Sequence, residues 1–416
     1  MRGQFKGLWQ QPEFMKLWAG QTISEFGSRI TREALPYTAA LVLAATPFQM
    51  GLLMAIGTAP VLIIGLLAGV WVDRLRRRPI MIMSDIGRAV ILLFVPLAAI
   101  AGILKVEHLY IIAALVGILT VFFEVADQSY LPTLVSREHL VEGNSKLGAT
   151  SSLAEIGGPP LAGLLVQLIT APISIIFDAL SFVFSAFCIG TIRTVEPAPV
   201  PPEQRQKVWQ EIAEGLRLVL RHPLLRPLAA ASATHNFFGG FIGALYILFA
   251  TTELNISPAF LGFCIAMGGV GAFGGAMLAG PAVKRFGLGT TLIAGLVISS
   301  LSLLLLPLAS GPLVLIIAFV VISQVLGDAG SVVYLINATS LRQIVVPDHL
   351  LGRANASMHF LVGGVGPIGA LIGGGLAELI GMRLTLLIGI LGTLLAFLWI
   401  FFSPLRKLRE QPASNS

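Results

Sequence analysis

An apolar stretch spanning residues 17–44 carries Gln21, Glu25, Arg29, Arg32 and Glu33 before Pro36. On a helix, Glu25–Arg29 and Arg29–Glu33 are both i,i+4 pairs, so three charges share one stripe and Arg32 borders it. A charge inside a bilayer costs roughly 2.5–3.5 kcal/mol on insertion scales, so such groups turn to a protein interior or a wet cavity unless they can snorkel to an interface. Glu25 and Arg29 lie close enough to one end for either reading. Glu33 lies deeper, where a carboxylate is expected to bind a proton or a cationic ligand.

Other candidates follow the same logic. Asp127 and Glu124 share a face at the end of 108–130, in a cavity or in the headgroup region. Glu155 adjoins a glycine-proline run as a cavity residue or a lid contact. His235 and Asn236 lie in a later apolar run, the histidine as a packed hydrogen-bonder or a coupling group. Asp328 sits between Gly327 and Gly330. Asp85 and Arg88, spaced i,i+3 near the start of 79–104, are expected to partner the arginine-rich loop before them, as a gate or as a solvated interfacial pair. No His-Glu-x-x-His pair, nucleophile constellation or phosphate loop occurs, so an enzyme is not expected. Cys188 and Cys264 lie in apolar runs without metal-ligand or disulfide spacing, and neither a metal nor a cofactor is expected.

The elements that position these residues are helices. Of the 416 residues 56% are hydrophobic and 12% charged, and mean hydropathy is +0.87, the composition of a multi-pass membrane protein. The chain has room for about twelve spans of ~20 residues. The first half divides at 17–44, 48–70, 79–104, 108–130, 147–169 and 172–192. The second half includes 289–308, 312–340 and 382–403. The expected class is all-α, with twelve transmembrane helices in two pseudo-symmetric six-helix bundles, 1–192 and 227–416. Between them, 193–226 holds ten of the 48 charged residues and the prolines 197, 199, 201 and 202. From 203 to 221 this linker turns helical, with Trp209, Ile212, Leu216 and Val219 on one face, the pattern of a helix lying on the inner membrane surface or meeting a partner.

The basic residues orient the chain. Gly69 to Pro79 reads Gly-Val-Trp-Val-Asp-Arg-Leu-Arg-Arg-Arg-Pro, and short basic loops stay in the cytoplasm. With both termini inside, only Lys105 and Arg383 fall outside and Arg29, Arg32 and Arg88 fall within spans. That leaves 22 of the 27 Lys and Arg on the cytoplasmic side. This bias accounts for the pI near 9.6, so nucleic acid is not an expected partner. The start, Met-Arg-Gly-Gln-Phe-Lys, reads as leading into an uncleaved anchor.

The halves repeat. Gly280-Pro-Ala-Val-Lys-Arg-Phe-Gly follows the eighth span as Gly69-x-x-x-Asp73-Arg74 follows the second. The run 348–355 mirrors 138–144, and Gly366-Pro367 echoes Gly158-Pro159. Three markers in one order at nearly one offset indicate duplication. Small residues such as Gly158 and Gly163 let helices approach, and the prolines bend them.

The run Gly69-x-x-x-Asp73-Arg74-x-x-Arg77-Arg78 resembles the loop signature of the major facilitator superfamily of transporters, with Arg76 where the commoner pattern has glycine. Ala154 to Gly163 resembles the fifth-helix motif of its exporters, with Ala154 and Ala162 replacing glycines and Pro160 extra. Trp-Ala-Gly-Gln-x-x-Ser at 18–24, Ala34-Leu35-Pro36 and Leu-Pro-x-Leu-Val at 131–135 resemble the bacterial macrolide-efflux and siderophore-export branch. The resemblance implies a multi-pass protein of the bacterial cytoplasmic membrane that works by alternating access as one chain. It also implies a cytoplasmic gate that includes Asp73 and Arg77 and would draw on Gly69, Arg74, Arg78, Asp85 and Arg88. The expected activity is proton-coupled export of an amphipathic or aromatic small molecule, of drug or siderophore type. Glu33, Asp127 or Asp328 would exchange the proton. A metabolite importer and a lysophospholipid translocator are the alternatives on the same fold.

Overall fold

The computed structural model describes residues 7–72, 75–194, 196 and 208–409, and the side chains of 66–72, 137, 208–213 and 348–349 are outside that description. The linker prolines 197, 199, 201 and 202 fall outside it too. In a bilayer every backbone N–H and C=O must be satisfied within the segment, so apolar runs of this length become helices. Eleven helices among the described residues are long and apolar enough to cross a membrane. The twelfth span is α1 (Pro12–Tyr37), too charged to be found by hydropathy and extended by a π-helical turn, Thr38–Val42.

Close contacts divide the chain into two units. The first comprises Met1–Ala45, Ile56–Gln204 and Ser257–Phe263. It contains α1, most of α2 (Pro47–Val72), α3 (Arg77–Ile100), α4 (Val106–Leu134), α5 (Leu140–Ile169) and α6 (Ala171–Gly190). Here α1 packs against α5 and α6, and α3 against α4 and α6. The interface of α1 with α6 is close because Gly20 lies over Cys188 and the Ser185 backbone, and Gly27 over Ser181 and Asp178. Small residues permit such approach where lipid supplies no hydrophobic drive.

The second unit comprises Thr46–Ala55, Arg205–Ile256 and Cys264–Ser416. It contains α7 (Val208–Arg221), α8 (Leu225–Thr252), most of α9 (Pro258–Phe286), α10 (Leu288–Leu303) and the short α11 (Leu305–Leu308). The chain continues with α12 (Leu313–Val345), α13 (Asp348–Gly363), α14 (Val365–Ile380) and α15 (Met382–Phe401). Here α8 packs against α14 and α15, and α10 against α12 and α15. The pattern repeats that of the first unit, helix for helix, as the duplication requires.

The glycine-proline markers behave differently in the two units. Pro159 and Pro160 lie inside an unbroken α5, leaving the carbonyls four residues back without their usual helical donors. Pro367 follows a break at Gly364 that separates α13 from α14. Nor does α7 keep its whole apolar face for the membrane. Val219 is fully buried with Leu225, Ala229, Val346, Ala354 and Met358, and Glu214 pairs with Arg353 of α13. The expected surface helix is therefore packed into the second unit along this face.

Candidate functional site

Helix α1 carries the polar centre of the first unit. Arg29 Nη2 lies 2.6 Å from Glu155 Oε2 of α5, and Arg32 Nη1 lies 3.7 Å from the other oxygen. Glu155 is exposed on its own helix while Arg29 is largely covered. The Arg29 stem runs over Gly158, where a β-carbon would collide with it. Gly158 thus makes room for the arginine one turn from its partner. Glu33 has Arg32, Arg29 and Glu155 as its charged neighbours. The i,i+4 stripe expected from sequence is therefore completed by a residue from another span.

About two turns before Arg29 on α1, the Gln21 amide donates to the Asp127 carboxylate of α4. The charges that bear on Asp127 are acidic, those of Glu25, Glu124 and Asp85. A carboxyl group held by a neutral amide among carboxylates can carry a proton without breaking an ion pair. This is the chemistry expected of a proton-exchanging site.

Behind this face lies a second polar cluster. Asp85 (0% exposed) and Arg88 (4%) of α3 form a 2.5 Å ion pair. The guanidinium sits 4.0 Å from the Phe182 ring centroid and 4.5 Å from that of Phe123, and Nη1 donates to Thr120 Oγ1 at 3.4 Å. Asp178 of α6 (1% exposed) accepts from Ser181 Oγ at 3.1 Å, faces Thr31 of α1 and lies within the field of Arg88. Asp85 and Arg88 were expected to partner the arginine loop. They turn instead into the unit, because α6 offers them a wall of small and hydroxyl residues. Sequence reasoning gave Asp178 no role. The signal was present in the polar stripe of Ser174, Asp178, Ser181 and Ser185 along α6, all of them buried.

The loop arginines have other partners. Arg77 and Arg78 open α3, and their backbone N–H groups each donate to the Glu196 carboxylate at 2.7 Å. The Arg78 guanidinium donates to the carbonyls of Ile189, at 3.0 Å, and Gly190. It thereby places positive charge at the C-terminus of α6, where the helix dipole favours it. Gly69 lies in the last turn of α2. Asp73 and Arg74 lie outside the described residues.

The second unit spreads its candidates out. On α8, the His235 ring meets the Thr393 carbonyl and its Nδ1 has no hydrogen-bond partner among the described residues, while Asn236 donates to the Val362 carbonyl at 3.1 Å. The Asp328 carboxylate of α12 lies over Gly268 of α9, beside Gln324. Gly366 and Pro367 border the α8–α14 interface, where Gly240 rests on the Gly366 carbonyl and Gly369 on that of Phe237. In the first unit, Gly163 rests on the Pro258 carbonyl, and Gly262 on that of Pro159.

Known proteins share this arrangement. The transmembrane secretion effector family matches residues 5–416. The multidrug efflux pump Tap of Mycolicibacterium fortuitum is 30% identical over 92% of this chain and 93% of its own. Macrolide efflux protein A of Streptococcus pyogenes is 26% identical over 59% of this chain and 60% of its own. Among solved structures, a bacterial homologue of the human lysosomal transporter Spinster superposes with a TM-score of 0.71. It covers 94% of this chain and 97% of its own at 14% identity, and so shows the fold. With two six-helix repeats and a family match over nearly its whole length, the chain belongs to the major facilitator superfamily of membrane transporters.

Proposed function

We propose that this transporter exports amphipathic or aromatic small molecules, of drug or siderophore type, in exchange for protons. The observation that carries the reading is Asp127, held by neutral Gln21 with Glu25, Glu124 and Asp85 bearing on it. Two relatives named as efflux proteins agree with the direction. A proton arriving from outside neutralises Asp127, and substrate leaves as the proton is taken up. Glu33 and Asp328 are further proton carriers in this scheme. Glu155, shared by Arg29 and Arg32, is the group for which a cationic substrate competes with the arginines.

Alternating access follows from two units whose equilibrium is biased by charge contacts made in one state and broken in the other. Gly69, Asp73, Arg74, Arg77 and Arg78 form the gate in this reading. The loop lies in the cytoplasm of a bacterial inner membrane with both termini, as the basic-residue bias indicates, and one chain is the transport unit.

The test uses energised inside-out vesicles containing the protein and an internal pH dye. A panel of macrolides, cationic dyes, siderophores and lysolipids is added and proton release is followed. Release by a drug-type or siderophore-type compound is expected, falling to below about a tenth in Asp127→Asn at equal protein level. Undiminished release in Asp127→Asn refutes the assignment, and release by lysolipids alone refutes the substrate class.

A further inference from the structure

A cavity of about 440 Å³ opens where α3 begins and α6 ends. Arg76, Arg78, Arg193 and Glu196 line it together with Ile82 and Met83. Arg76 is the position at which this chain departs from the superfamily's loop signature, and both Arg76 and Arg193 are exposed.

The charge balance favours an anion. Three arginines line the cavity where α3 begins, and while Arg78 already donates to the Ile189 and Gly190 carbonyls, Arg76 and Arg193 are exposed there. Two carboxylates stand nearby, and both are already engaged: the oxygens of Glu196 accept the α3 N–H groups, and Glu13 accepts the Arg193 N–H.

The walls say which anion. From the cavity, α3 presents Met83 (73% exposed), Ile86, Val90, Phe94 and Leu97 along one stripe, and α6 presents Phe184 and Phe187 (68%) along another. Residues three and four apart share a helix face, so the two stripes make apolar tracks leading from the arginines into the hydrocarbon. A soluble anion has no use for such tracks, whereas acyl chains do.

We propose that this cavity binds the phosphate headgroup of an anionic phospholipid, its acyl chains lying along α3 and α6. The site belongs to the first unit alone and does not depend on what the protein transports. Basic residues near a membrane surface attract anionic lipid by about fivefold each, and ionic strength screens the attraction.

The test titrates the full-length protein, purified in a neutral detergent, with short-chain phosphatidylglycerol or phosphatidylcholine of equal chain length, and counts bound lipid by native mass spectrometry. Phosphatidylglycerol is expected to bind saturably and more weakly as salt rises. Affinity should fall roughly fivefold in Arg76→Gly and again in Arg193→Gln, with phosphatidylcholine adsorption unchanged in both. These are separate exposed positions, so a fold defect in one variant leaves the other as the test. Equal binding of the two lipids overturns the proposal, as does unaltered phosphatidylglycerol binding in a folded variant. Inorganic phosphate that displaces the lipid at matched concentration would identify a soluble-anion site and overturn it too.

Discussion

Arg88→Met should be the most damaging single change in the first unit. The guanidinium is 4% exposed and pairs at 2.5 Å with Asp85, itself 0% exposed, while the field of Arg88 also covers buried Asp178. Methionine fills much of the arginine stem's volume and keeps contact with Phe123 and Phe182, so the loss is chiefly electrostatic. Breaking a buried pair by removing one partner costs about 3–5 kcal/mol. At roughly 2–4 °C per kcal/mol for a unit of this size, the midpoint should fall by about 6–20 °C. The molecule supplies its own reporter. Cys188 on α6 and Cys264 on α9 are both free and buried, and they belong to the first and second units respectively. In a Cys264→Ser background, a thiol-reactive fluorophore follows the unfolding of the first unit through Cys188. Adding Asp85→Asn to Arg88→Met removes one stranded charge and should recover at least half of the loss. A single variant within about 2 °C of its parent, or a double variant no better than the single, would refute the claim that the ion pair neutralises a buried carboxylate.

Two further perturbations probe packing and pH. Gly27→Leu drives a side chain into Ser181 and Asp178 where α1 meets α6. It should destabilise the first unit by about 1–3 kcal/mol and lower the same midpoint, whereas Gly65→Ala, with open space at its β-carbon, should be neutral or stabilising. His222, between α7 and α8, accepts the N–H groups of Leu224 (3.2 Å) and Leu225 (3.4 Å) on Nδ1, and burial holds its pKa below the usual 6.5. A depressed histidine contributes stability that is complete above about pH 6.5 and is lost as pH falls through the folded value. Amide exchange at Leu224 and Leu225 should therefore slow less on acidification than the intrinsic rate does, and His222→Ala should abolish that extra pH dependence.

The helices and their duplication were legible because a bilayer leaves the backbone little choice. The spacing of Glu25, Arg29 and Glu33 was also legible, since it is a property of one helix. What joins spans was less so. That Asp85 and Arg88 turn inward, that Asp178 faces Thr31, and that Glu155 completes the arginine stripe all depend on which face of an apolar helix meets protein. In lipid, hydropathy does not report this. On α3, Leu92 is 0% exposed and Leu97 64%, yet the same residue type suits both places. Polar residues break the degeneracy. The serines around Asp178 marked the protein-facing side of α6, just as the charges of α1 marked its own. The docked face of α7 escaped for a related reason, because an amphipathic helix suits a membrane surface and a protein groove equally well.

The two repeats keep one device in different chemistry, and the difference has a cause. In the first unit Glu196, just beyond α6, accepts both opening N–H groups of α3 at 2.7 Å. In the second, the carbonyls of Arg409 and Leu408, just beyond α15, accept the opening N–H groups of α10 from Leu288 and Gly289, at 3.2 and 3.0 Å. Each repeat thus caps its third helix with the chain that leaves its sixth. A neutral carbonyl suffices for α10, which opens on leucine and glycine. It would not suffice for α3, whose cap and first two residues are arginines added to the positive end of the dipole. A carboxylate answers that charge, with Lys16 donating to the neighbouring Thr191 carbonyl and Glu13 accepting from Arg193 N–H to hold the exit of α6 in place. The duplication therefore preserved where the helix start is satisfied, while the arginine-rich loop dictated with what.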